Sequence, residues 1–364
     1  MEPTTTPNPY RLKSNEPIAE ASDVCSLKYP FRKLVLAGGG LRGMAYIGAF
    51  RSLSRLGVLQ GVDEILGCSI GAVMALLVVL EYTETELHDF LLHFNYQDIK
   101  DINFMTVLEK WGVDSGEKIE QFLVLLIKHK TGLVEPTFAQ LAGSEQTRIN
   151  LIVNAVALDE YKVHFFSERD SPEMPVVKAV RASLSLPGVF SPVDYGNHIW
   201  VDGGLLNNMP IEYFANDPTC TSEEILGLRF PSSNKPPSYQ GLENIQKYLI
   251  SVWACVYSTM NNLRAQVHDE HTYNIITIPT ADIGTFQFSI PRTKRLHLFH
   301  LGEIAVQEFI NTYKAGREDL NGQTDQDENR TDQDENRTDQ DDREDQEGQD
   351  QVDPVDPVDQ EGQD

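Results

Sequence analysis

Lys33-Leu34-Val35-Leu36-Ala37-Gly38-Gly39-Gly40-Leu41-Arg42-Gly43 and, further along, Glu64-Ile65-Leu66-Gly67-Cys68-Ser69-Ile70-Gly71 decide how this chain folds. Each is a short apolar run that stops at glycine and is followed by apolar residues at helical spacing, Leu41–Leu56 in the first case and Ala72–Leu80 in the second. A brief apolar run ending in a tight turn reads as a buried strand. Gly57 marks the stop of the first helix. The order is therefore strand, glycine loop, helix, strand, sharp turn, helix.

The same alternation continues outward. Residues 81–146 read as mostly helical, with Leu87, Phe90, Leu91 and Phe94 on one face and a second run at Ile119–Ile127. Strands are expected at Ile149–Ala157, Lys162–Phe166, His198–Val201, Glu224–Phe230 and Asn274–Ile278, and helices at Val176–Ala182, Leu242–Arg264 and Thr293–Lys314. Strands interleaved with helices predict an α/β protein with a largely parallel central sheet.

The composition divides the 364 residues. From Arg317 to Asp364 there are 20 acidic and 4 basic residues, so this stretch carries −16 of the chain's −25. It repeats TDQDENR at Thr324–Arg330 and Thr331–Arg337 and has almost no apolar residues to offset the entropy of ordering. The expected organisation is a lead-in over residues 1–30 with five prolines, a folded body over 31–315 and a disordered acidic tail over 316–364. The tail's aspartates lack the glycine and distal glutamate of a calcium loop in register. Such an acidic chain is a poor partner for nucleic acid.

Four scattered cysteines, Cys25, Cys68, Cys220 and Cys255, suggest neither a zinc site nor a disulfide framework. The N-terminus has no apolar signal segment, and the longest apolar run, Ile70–Leu80, is too short to span a bilayer. The expectation is a soluble cytoplasmic protein whose membrane contact, if any, is peripheral.

The Gly67–Gly71 turn has the G-x-S-x-G form that exposes a serine hydroxyl on a strained bend, with Ser69 at the start of a helix whose dipole favours negative charge. The glycine loop has two readings. Gly38-x-Gly40-x-x-Gly43 satisfies the dinucleotide fingerprint, with Asp63 near the spacing of a ribose-binding acid. It can equally be an oxyanion hole, with the N–H groups of Gly39 and Gly40 closing on developing charge and Arg42 assisting. The base is open between Asp202, followed by Gly203 and Gly204, and the later histidines His268, His271, His297 and His300. Asp202 is the better candidate, because its glycines allow close approach to a neighbouring backbone. Leu242–Arg264 carries Ile245, Tyr248, Leu249, Val252, Trp253 and Val256, either as a core face or as an interfacial one, with the core reading favoured.

Four blocks in this order, GGGLRG at Gly38–Gly43, GCSIG at Gly67–Gly71, ASLSLPGVFSPV at Ala182–Val193 and DGGLLNNMPI at Asp202–Ile211, resemble the patatin-like phospholipases over roughly Lys33 to Lys314. The resemblance implies a three-layer α/β/α sandwich. It implies Ser69 as nucleophile and Asp202 as base of a dyad without histidine, with Gly38, Gly39, Gly40 and Arg42 as the oxyanion hole and Gly67, Gly71, Gly203 and Gly204 as supporting glycines. It also implies hydrolysis of phospholipids or lysophospholipids without metal or cofactor, with an activating protein partner in some members. The runners-up are a dinucleotide-binding protein and a silent lipid-binding member of the fold.

Overall fold

A computed structural model describes residues 29–101, 111–231 and 245–341, with 268–272, 281, 286 and 288 excepted. Among the described residues there are ten strands: β1 (Lys33–Leu36), β2 (Glu64–Gly67), β3 (Gly112–Asp114), β4 (Asn150–Ala157), β5 (Lys162–Phe166), β6 (Gly188–Phe190), β7 (Val193–Tyr195), β8 (His198–Asp202), β9 (Ile225–Arg229) and β10 (Asn274–Thr277). The main sheet has the order β10-β9-β1-β2-β4-β8-β7, with β5 also paired to β4, while β3 and β6 form a separate two-stranded sheet.

The β10, β9, β1, β2 and β4 strands are mutually parallel. Each parallel step needs a crossover, which the helices Met44–Arg55 and Ile70–Val79 supply for the first two. β5, β7 and β8 join antiparallel at one end. β1, β2 and β4 are buried on both faces but for their first residues, as suits their mostly apolar sequences. Val35, Leu66, Ile152 and Ile225 form one core with Ile211 and Phe214, which cover that face of the sheet. The helix Ile70–Val79 is buried on nearly every side. Its apolar residues on all faces suit a helix enclosed between sheet and neighbours.

Two further helices meet where small residues let backbones touch. A Cβ on Gly48 would lie 1.8 Å from the carbonyl oxygen of Phe299, and one on Gly302 would lie 2.0 Å from that of Ala45.

The stretch 81–146 is less uniformly helical than its sequence predicts. It holds the helices Glu84–His93 and Glu117–Thr131 but also β3, which pairs with β6. Three residues are too few to show a strand period, so the pairing is set by tertiary contact alone.

The chain separates into two compact units, Met1–Gln307 and Glu308–Asp364. The helix Arg292–Asp341 crosses that division and runs on into the acidic repeats, where composition predicts disorder. A helix polar on every side has no face to bury. The residues 1–28 of the expected lead-in and 342–364 of the expected tail lie outside the described residues.

Candidate active site

β1 and β2 run side by side and end together, with Leu36 opposite Gly67. The loop after β1 and the turn after β2 therefore emerge at the same edge of the sheet. At that turn Ser69 has φ 53, an unusual value for a side-chain-bearing residue, and it caps the helix Ile70–Val79. The flanking glycines are steric necessities. A Cβ on Gly67 would sit 2.3 Å from the carbonyl oxygen of Gly71, and a Cβ on Gly71 would sit 2.3 Å from that of Leu36 in β1.

Asp202 reaches the same place from the last position of β8. The Ser69 hydroxyl donates to Asp202 Oδ2 at 2.7 Å, and the Gly204 N–H donates to Oδ1 at 2.8 Å. Asp202 is only 2 % exposed. Burial raises its pKa to about 7, against the opposing pull of those two hydrogen bonds. The carboxyl thus titrates where a general base is useful, because little besides one hydroxyl and one amide stabilises its charge.

A cavity of about 110 Å³ opens on the pair. Gly39, Gly40, Ser69, Asp202 and Asn208 form its polar end, and Phe90, Phe94, Phe122, Leu123, Leu186, Phe190 and Trp253 are among its apolar walls. Among the described residues no histidine lines it. His297 and His300 lie on the C-terminal helix, where His300 Nδ1 is 3.1 Å from Glu303 Oε2. His268 and His271 lie outside the described residues.

Two residues that the resemblance assigns to the oxyanion hole are tied within the protein. The Gly38 N–H donates to the Asn208 carbonyl at 3.2 Å while Asn208 Nδ2 donates back to the Gly38 carbonyl at 3.2 Å. Arg42 Nε–H donates to the Gly39 carbonyl at 3.1 Å and its Nη1 to the Pro231 carbonyl at 3.2 Å, with the guanidinium over the Phe230 ring. Burial lowers its pKa, offset in part by Tyr257 and Tyr46. Arg42 therefore holds the loop from behind. Gly39 and Gly40 line the cavity and Gly38 and Arg42 do not. Neither Gly39 nor Gly40 has room for a side chain: a Cβ would fall 2.4 Å from Phe230 or 2.2 Å from the Thr285 carbonyl oxygen, and Gly40 has φ +58.

Asp63 does not serve a dinucleotide at this loop. It sits beside the first residues of β1 and β2, bonded to Arg32 and Lys33. The glycine loop lies beyond the other end of the same strands, about 13 Å away for four residues of strand.

Several organising residues had no assigned role in the sequence. Ser183 Oγ accepts the Ser69 N–H at 2.8 Å, and the Ser185 carbonyl accepts the Asp202 N–H at 3.0 Å. Arg181, 1 % exposed, donates to Ser185 Oγ and to the carbonyls of Ser115, Gly116 and Ser191. Asn154 Nδ2 donates to the Asn207 carbonyl beneath Gly203. Ser183, Ser185 and Asn208 lie inside the Ala182–Val193 and Asp202–Ile211 blocks, so the signal was present without the partners that give it meaning. Cys68 is fully buried, with its Sγ 4.0 Å from Asn208 Oδ1. On the helix Ile245–Val267, Trp253 faces inward and lines the cavity, which supports the core reading on that side, while Tyr248, Val252 and Val256 are exposed. The side chains of Ile245 and Leu249 lie outside the described residues.

These features define an α/β protein with a serine–aspartate pair at the mouth of an apolar cavity. The chain belongs to the patatin-like phospholipase family, whose model matches residues 34–215, half of its length. It is 27 % identical over 291 residues to an uncharacterized protein of Acanthamoeba polyphaga mimivirus, covering 77 % of this chain and 93 % of that one. It is 28 % identical over 187 residues to a probable lipid hydrolase of Invertebrate iridescent virus 6, covering 50 % of this chain and 62 % of the other. It is also 28 % identical over 195 residues to the neuropathy target esterase sws of Drosophila melanogaster, covering 50 % of this chain and 12 % of that protein. Among solved structures, VipD from Legionella pneumophila aligns with 78 % of this chain and 67 % of its own, at a TM-score of 0.49 and 15 % identity.

Proposed function

We propose that this protein releases fatty acids from phospholipids or lysophospholipids through an acyl-enzyme on Ser69, with Asp202 as general base. Membership of a lipid-hydrolase family supports the class. The observation that carries the residue assignment is the 2.7 Å hydrogen bond from Ser69 Oγ to a buried carboxylate with a pKa of about 7.

In this reading the acyl chain occupies the apolar cavity, with the ester carbonyl carbon next to Ser69. Asp202 Oδ2 takes the hydroxyl proton as Oγ attacks. The carbonyl oxygen gains negative charge, which the N–H groups of Gly39 and Gly40 and the N-terminus of the helix Ile70–Val79 favour. Collapse expels the alcohol or lysolipid, which takes the proton from Asp202. Water then enters, gives its proton to Asp202 and attacks the acyl-enzyme, and Ser69 leaves with that proton as the fatty acid is freed. No described helix is long and apolar enough to cross a membrane.

Fatty-acid release from phosphatidylcholine and lysophosphatidylcholine vesicles by the purified protein tests this reading. Release by the wild type and its loss in Ser69→Ala is expected. Equal release by both proteins overturns the assignment of Ser69. Absence of release from a wild type that also fails to react with a phosphonate ester at Ser69 overturns the hydrolase reading itself.

A further inference from the structure

At the antiparallel end of the main sheet, away from Ser69, the turn between β4 and β5 carries Asp159 and Glu160, and β8 begins beside it at His198. His198 Nδ1 lies 2.7 Å from Asp159 Oδ2 and 3.8 Å from Glu160 Oε1. The ligand atoms of these three residues all fall within 4.8 Å of one another. The outer oxygens are tied down. The Ile199 N–H donates to Asp159 Oδ1 at 3.2 Å, and His164 Nε2, from β5, lies 2.6 Å from Glu160 Oε2. What remains is one oxygen from each carboxylate converging on a single imidazole nitrogen.

The His198 ring nitrogen has at most one proton to share, and Asp159 Oδ2 at 2.7 Å is its partner. Glu160 Oε1, at 3.8 Å, is beyond hydrogen-bond reach of that nitrogen and yet faces the same point. Partly exposed pairs of this kind contribute about 0–1 kcal/mol, too little to hold three side chains in register. A divalent cation satisfies both carboxylates and the imidazole at once. Tetrahedral ligation at about 2.0–2.2 Å sets the ligand atoms roughly 3.3 Å apart. The observed 2.7 and 3.8 Å bracket that edge.

We propose that Asp159, Glu160 and His198 bind a divalent transition-metal ion of the zinc type, with His164 as the residue that orients Glu160. An imidazole among carboxylates favours such an ion over calcium or magnesium, which take more oxygen ligands. His164 bonds the far oxygen of a ligating carboxylate, the usual place of an orienting partner. β8 carries Asp202 four residues beyond His198, about 13 Å along the strand. The ion is thus a staple between the β4–β5 turn and β8, and it takes no part in the chemistry at Ser69.

The test is calorimetric titration of the chelator-treated full chain with zinc chloride, then with calcium chloride. One zinc site is expected in the wild type, with a rise in melting temperature on binding. His198→Ala and Asp159→Asn should each lose that site and the thermal rise. His164→Gln should keep the stoichiometry and weaken binding by roughly 10–100-fold. The acidic segment contributes the same weak background to every protein, so the difference between wild type and variant is the readout. Circular dichroism of the metal-free variants confirms that they fold. Asp159→Asn, close to isosteric, carries the comparison if His198→Ala does not fold. Identical zinc titrations for wild type and Asp159→Asn, absence of zinc uptake by the wild type, or calcium displacing zinc would overturn the proposal.

Discussion

Two buried aspartates do opposite jobs in this molecule. Asp114, 1 % exposed at the end of β3, accepts from the N–H groups of Asp101 and Gly116 and from the Tyr96 hydroxyl, and Arg181 lies close enough for the two charges to attract. Asp202, 2 % exposed at the end of β8, accepts from Ser69 and Gly204, and among the described residues no cation offsets its charge. The first is held by donors on several sides and ties the backbone of Asp101 to that of Gly116. The second is left short of donors, and burial brings its pKa to about 7. Burial alone does not make a base. The poverty of the donor set does, and a partner such as Arg181 would remove the reactivity.

The comparison breaks most visibly at the pair itself. Ser69→Ala and Asp202→Asn should each reduce fatty-acid release by about 10⁴-fold or more, since the two act as a unit, whereas Asp114→Asn should leave the rate per folded molecule nearly unchanged. Next comes stability. Arg181→Met leaves the carbonyls of Ser115, Gly116 and Ser191 without their donor and strands a buried Asp114. It should cost about 3–5 kcal/mol in urea unfolding, with Asp114→Asn costing less. A smaller effect is expected behind the glycine loop. Arg42→Lys cannot reach the Gly39 and Pro231 carbonyls together or stack flat on Phe230, and should lower kcat by roughly tenfold with KM little changed.

The contrast also sharpens through pH. Because folding raises the Asp202 pKa, the folded protein keeps a proton that the unfolded chain has released between about pH 4 and 7. Its contribution to stability therefore falls as pH rises through that window. Asp202→Asn removes this dependence, so the variant should gain melting temperature relative to wild type at pH 8 and show little gain at pH 4.

The strands β1 and β2, their glycine turns and the helices that follow were legible because each is signalled locally, by apolar runs, by glycines and by period. Ser69 and Asp202 were legible for the same reason, each marked by glycines at fixed offsets. The loop's inner workings were not. Sequence shows which groups are present and not which way they point. The partners that Arg42 and Gly38 find, Pro231 and Asn208, lie 189 and 170 residues away. Arg181 falls in an apolar helix where charge alone gives no hint of the carbonyls that surround it. The strand β3 has three residues and no period to detect.

The account stands on Asp202 being the base that sets the reactivity of Ser69. The most direct measurement is the rate at which a long-chain alkyl phosphonate ester labels Ser69 as a function of pH. Labelling should climb tenfold per pH unit below about 7, level off above it, and collapse in Asp202→Asn. A rate independent of pH, or one unchanged in Asp202→Asn, would contradict it.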